Sequence, residues 1–187
     1  MKKISLILFL MFGACIFLRA QDKFYTKTGT IFFKCTKSPL EKIEATNRSV
    51  TCVLDTKTGS LQFAILVKGF EFERALMQEH FNENYMESGK FPRSEFKGQI
   101  LNNNEINYTK DGIYKTTVKG KLQIHGETKD VETIGTLTLK DGKIIASSGF
   151  SILLSDYNIH IPSIVSDKIA NNVNITIDCG LELFKGQ

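Results

Sequence analysis

The chain has 187 residues, with 24 Lys and Arg against 20 Asp and Glu and a formal net charge of +4. Its 42% hydrophobic and 24% charged residues supply a core for one domain of ordinary size and exclude a disordered tail. Fourteen Gly and three Pro exclude collagen-like and Pro-rich repeats.

Met1-Lys2-Lys3 is a short positive start, followed by an apolar run from Ile4 to Leu18 without a charge and then Arg19-Ala20-Gln21. That layout predicts a secretory signal peptide over residues 1–20, leaving a single domain over 21–187. The run is short of the ~20 apolar residues of a spanning helix, so no transmembrane anchor is expected after cleavage. A lipid-modified Cys15 is the variant reading of the same segment. Cleavage removes three of the 24 Lys and Arg and none of the 20 acids, which leaves a net charge of +1. Without a basic cluster, that charge argues against nucleic acid as a partner.

Beyond residue 30 the pattern is period-two alternation broken by turn residues, as in half-buried antiparallel strands. The predicted strands are Thr30 to Thr36, Ile43 to Leu54, and Ser60 to Lys68 after the Asp55–Gly59 turn. Leu61, Phe63, Ile65 and Val67 share one face of the third. Arg74 to Glu87 places Leu76, Met77, Phe81 and Tyr85 near helical spacing and predicts one short helix. Glu95 to Leu101 follows. Ile106 to Thr109 and Ile113 to Ile124 then flank Lys110-Asp111-Gly112, an expected hairpin. Val118, Leu122 and Ile124 fall on one face of the long arm. Val131 to Leu139 and Lys143 to Leu153 flank Asp141-Gly142, and residues 156–172 form a loop with at most a helical turn. Val173, Ile175, Ile177, Cys179, Leu181 and Leu183 alternate along the last strand. About eight short strands make an all-β barrel or sandwich.

Catalytic signals are sparse. Three cysteines, Cys35, Cys52 and Cys179, follow residue 20, and none forms a C-x-x-C pair. They read as small buried hydrophobes, with one cross-strand bridge left open. His80, His125 and His160 are isolated, with no metal-ligand spacing and no carboxylate dyad, so neither a metal nor a catalytic residue is assigned. His80 and His160 are the general bases that a weaker enzymatic reading would need. Phenylalanine is abundant, 14 residues beside no Trp. In a barrel this aromatic bulk is either a packed core or the lining of an apolar cavity.

Three segments carry a family resemblance. Met77 to Phe96 reads MQEHFNENYMESGKFPRSEF, Gly120 to Val131 reads GKLQIHGETKDV, and Phe150 to Ile159 reads FSILLSDYNI. In order and spacing they resemble the YceI-like family of exported bacterial proteins, over about Thr30 to Leu183. The resemblance implies an eight-stranded antiparallel lipocalin-like barrel with a short helical insertion near one mouth. It implies a periplasmic or secreted, non-enzymatic carrier that holds a polyisoprenoid-type lipid and needs no other cofactor. It places Phe81, Tyr85, Phe91 and Phe96 at the mouth and Leu122, Ile124, Phe150 and Ile152 around the cavity. The rival expectation is a protein-interaction module. Its contact patch would be the 156–172 loop, with Tyr157, Ile159, Ile161, Ile164 and Val165. Oligomeric state stays open, homodimer included.

Overall fold

The computed structural model describes residues 23–37 and 42–184. The expected signal peptide over 1–20, with Cys15, lies outside the described residues. Nine strands run in chain order: β1 (Lys23–Thr36), β2 (Glu44–Asp55), β3 (Ser60–Leu66), β4 (Phe70–Glu71), β5 (Arg93–Ile100), β6 (Gly112–Ile124), β7 (Glu127–Lys140), β8 (Lys143–Leu153) and β9 (Ile169–Leu183). Eight of them pair antiparallel in the cyclic order β1-β9-β8-β7-β6-β5-β3-β2, and β1 pairs with β2 to close the ring. The two-residue β4 adds to β2 at Thr46 and Asn47, a position β3 does not reach. The result is a closed up-and-down barrel, as the resemblance implied, and closure leaves no long free edge.

Turn chemistry sets the register. His125 and Gly126 (φ +51° and +81°) join β6 to β7, and Asp141 and Gly142 (φ +51° and +73°) join β7 to β8. Two successive left-handed residues make the tight hairpin turn whose twist matches the strands it connects. At the β2–β3 turn the Asp55 carboxylate accepts the backbone N–H groups of Lys57 and Thr58.

The expected strand over Ile106 to Thr109 does not form. Residues 101–111 instead fold across one end of the barrel, with a 3-10 turn at Asn103–Glu105. The Asn102 side chain takes the ladder's place: its Oδ1 accepts Thr117 N–H and its Nδ2 donates to the Lys115 carbonyl. Ile106 is thereby freed to enter the core, and Tyr108 donates its hydroxyl proton to Asn103 Oδ1 at 2.8 Å. The predicted helix is also shorter than its pattern, comprising α1 (Ala75–His80) followed by a wider π-helical turn over Phe81–Tyr85. Both lie in the connection from β4 to β5, at the opposite end of the barrel from residues 101–111.

Two apolar clusters divide the interior. Val50, Leu54, Leu61, Ile100, Ile106, Leu137, Ile144 and Leu181 fill the base with Cys52 and Cys179. Val67, Met86, Leu122, Tyr157 and Ile159 pack under the helical segment. The space between them is not filled.

Candidate functional site

Inward-facing residues from most of the strands leave a cavity of about 440 Å³ inside the barrel. Its walls follow directly from alternation: Ile31, Phe33 and Cys35 on β1; Phe63 and Ile65 on β3; Val118, Leu122 and Ile124 on β6; Phe150 and Ile152 on β8; Val173, Ile175 and Ile177 on β9. A volume of this size, bounded almost entirely by hydrocarbon, suits a small or slender apolar molecule.

Seven of the eight residues named from sequence border this cavity. Phe81 and Tyr85 come from the π-helical turn, Phe96 from β5, Leu122 and Ile124 from β6, and Phe150 and Ile152 from β8. Phe91 stands apart. Its ring lies 4.6 Å from that of His125, under Gly126, with the Lys90 ammonium 4.7 Å above it. Phe91 supports the β6–β7 hairpin from outside the cavity.

The mouth joins Phe81, expected there, with three rings left unassigned from sequence, Phe33, Phe70 and Phe72. Phe33 contacts Phe70, Phe72 and Phe81 at centroid distances of 5.1, 5.8 and 5.5 Å, and Phe81 contacts Phe70 and Phe72 at 5.6 and 5.0 Å. Edge-on and offset rings at such distances attract one another beyond their buried area. The visible signal for Phe33 was the Ile31-Phe33-Cys35 alternation. Phe70 and Phe72 had no such signal, because Phe70 lies in a two-residue strand and Phe72 just beyond it.

Deeper in the wall, Phe96 lies along β5 beside Gly98, which pairs with Gly120 on β6. A Cβ at either glycine would come within about 2.5–2.7 Å of the Phe96 ring. The ring therefore needs both glycines to lie flat against the sheet. Hydroxyls interrupt this apolar surface: Ser94 and Thr116 are buried, and Thr133, Thr136, Ser147 and Ser148 also border the cavity.

The acid Glu95, on β5, borders the cavity beside Phe96 and pairs with Lys97 at 3.0 Å, and the cationic groups come from the connecting segments. Arg74 and His80 border the cavity from the α1 segment, and Lys168 borders it just before β9. His80 is exposed and accepts a hydrogen bond from Asn84 Nδ2 at 3.0 Å. His160 is exposed on the loop after β8. His125 holds three connections together: its Nδ1 meets the Tyr157 carbonyl at 3.1 Å and its Nε2 meets Glu87 Oε2 at 2.8 Å. Among the described residues no group of three His, Cys, Asp or Glu could hold a metal ion.

The three cysteines among the described residues, Cys35, Cys52 and Cys179, are buried and free. Burial pushes the Cys35 thiol up to about 12, and its Sγ faces the Ile43 carbonyl. The Cys52 thiol is raised further, first by its hydrogen bond with Cys179 and then by burial. The 156–172 loop does not present the expected patch. Tyr157 and Ile159 are 2% and 4% exposed, tucked under the mouth, and Val165 borders the cavity. Ile164 alone among the five stands fully out.

Residues 23–181 match the model of a family described as the YceI-like domain. In fold, the chain is similar to a polyisoprenoid binding domain from Saccharophagus degradans implicated in plant cell wall breakdown. That match has a TM-score of 0.76 at 12% identity, over 88% of this chain and 100% of that one. It is also similar to BcnA of Burkholderia cenocepacia, with a TM-score of 0.65 at 18% identity, over 81% of this chain and 95% of that one. No curated protein matches the chain in sequence.

Proposed function

The chain belongs to the YceI-like family, and we propose that it is an exported binding protein that holds a polyisoprenoid-type lipid inside its barrel. The observation that carries this reading is the unfilled apolar cavity of about 440 Å³ behind a gate of phenylalanine rings. The likeness in fold to a polyisoprenoid binding domain supports it. Export is supported by the Met1–Ala20 sequence. Among the described residues no helix is long and apolar enough to cross a membrane.

Binding of this kind needs no reacting group. Each methylene or methyl withdrawn from water contributes ~0.8 kcal/mol, offset by the cost of ordering the chain and the mouth. Branched, unsaturated isoprene units suit a wall of Phe, Ile and Val. Their preset bends leave fewer rotamers to freeze than a saturated chain of equal length.

Purified protein extracted with organic solvent and analysed by mass spectrometry tests the proposal. The expected extract contains a stoichiometric apolar lipid, with members spaced by one isoprene unit. An extract without lipid, from a protein that also takes up no added polyprenol, would overturn the reading.

A further inference from the structure

Two buried hydroxyls on the cavity wall, Ser94 and Thr116, pair with no described residue, and Thr116 is the one that faces a glycine. Thr116 on β6 is 2% exposed and borders the cavity, yet no described residue gives its hydroxyl a hydrogen bond. Its Oγ1 opens onto the cavity and is not sealed off as the unpaired Asn82 Oδ1 is, so a polar group inside the cavity can reach and pair with it. Directly opposite on β7 is Gly135, which pairs with Thr116 on one side and with Ser148 of β8 on the other. A Cβ at Gly135 would lie 3.0 Å from Thr116 Oγ1, 3.2 Å from the Ser147 carbonyl oxygen and 3.7 Å from Ser148 Cβ. The glycine thus leaves a notch between two hydroxyls. Ser148 donates its proton to the Ile134 carbonyl at 2.9 Å, and with Thr133 Oγ1 3.5 Å away its oxygen keeps one further lone pair as an acceptor. Thr116 supplies the donor.

We propose that the notch over Gly135 receives the oxygen-bearing, uncharged end of the ligand, so that the lipid enters polar end first and its hydrocarbon tail points to the ring-lined mouth. This rests on the lipid-binding reading above and adds orientation and end-group selectivity to it. A hydroxyl end group satisfies both partners, accepting from Thr116 and donating to Ser148. A carbonyl satisfies Thr116 alone. A phosphate or carboxylate is disfavoured, because the cationic groups bordering the cavity, Arg74, His80 and Lys168, come from the α1 segment and the residue before β9, while the charged residue on its β5 wall is an acid, Glu95.

The test uses delipidated full-length mature protein and three probes of equal carbon count: farnesol, β-farnesene and farnesyl phosphate. Affinities are read by displacement of N-phenyl-1-naphthylamine. Thr116→Val should weaken farnesol by about fivefold to tenfold, the effect of one neutral hydrogen bond, and leave β-farnesene unchanged. Thr116→Ser should restore farnesol binding, and Gly135→Ala, which fills the notch, should reproduce the selective loss. Farnesyl phosphate should bind more weakly than farnesol and respond to neither Thr116 variant. If β-farnesene binds and Thr116→Val and Gly135→Ala shift both neutral probes equally or not at all, the subsite is overturned while the cavity reading stands. If no probe binds the unmutated protein, both fall.

Discussion

Phe96, Gly98 and Gly120 show how much a missing side chain contributes to this barrel. The Gly98 and Gly120 Cα atoms face each other across β5 and β6, and a Cβ on Gly120 would stand 2.5 Å from the Gly98 Cα and the Lys97 carbonyl. Both contacts are backbone, so no flexible group can yield. Gly120→Ala should therefore force the two strands apart and cost about 1–3 kcal/mol, as overfilling of a tight interior does. The denaturant midpoint measures it, and an unchanged midpoint would mean the strands separate freely. In the sequence these glycines read only as scattered single residues, because the ring that covers them lies two positions away on β5 and across the sheet from β6. Thr116 was hidden for a related reason. Its position within β6 was legible, and the alternation even put it on the Val118 face. What the alternation does not tell is whether a partner stands opposite, and here the opposite residue is a glycine.

At the level of elements, strands were legible wherever alternation was long and a Gly-containing turn bounded it. β8 and β9 are the clearest examples, since each has one apolar face over many residues. The failures share a cause. Ile106 to Thr109 has strand-like composition, yet the Asn102 amide already occupies the backbone groups of Lys115 and Thr117 on which a neighbouring strand would pair. Side-chain mimicry of a ladder has no periodic signature. Likewise the 74–87 segment had helical spacing, but its second half widens to a π turn that carries Phe81 and Tyr85 to the cavity.

That turn is held from outside by His125, which ties the exit of the helical segment at Glu87 to the Tyr157 carbonyl on the loop after β8. Asn158 adds a second tie, donating to Glu127 Oε1 at 2.8 Å. Three connections at one barrel end thus share one buried imidazole. His125→Ala should loosen all of them together while leaving the base intact. Hydrogen exchange should speed up about tenfold in residues 86–91 and 154–159, the worth of one lost hydrogen bond in local opening, with β7 and the far ends of β8 and β9 unchanged. Uniform acceleration across every strand would show that His125 acts on global stability and not as a local clamp.

For the whole molecule, alternation along each strand predicted which residues face inward but not whether they meet. Barrel diameter depends on strand number and stagger, and the bulges in β1 near Gly29 alter that stagger without a sequence signal of their own. From the residues alone a filled core was the favoured reading of the same phenylalanines, and the open cavity followed from the resemblance until the closed ring showed the space. The closed ring has a consequence for pH. Burial raises Cys35 from 9.0 to about 12 and raises Tyr108 and Tyr157 from 10.0 to about 12, the last aided by Asp156. In each case the folded state keeps a proton that the unfolded chain has begun to lose. Stability is therefore complete below about pH 9 and falls as pH rises through the interval between the unfolded and folded values. From pH 9 to 10 the thiols dominate, because the tyrosines of the unfolded chain are still protonated. Over that interval Cys35 alone contributes a slope of at most about 1.4 kcal/mol per pH unit, a few degrees in melting temperature for a domain of this size. The melting temperature should hold level from pH 7 to 8.5 and then drop, and Cys35→Ala should show a shallower drop between pH 9 and 10 than the unmutated protein. Equal slopes in the two proteins would remove Cys35 as the origin and leave the Cys52 thiol, which its bond with Cys179 and burial also raise.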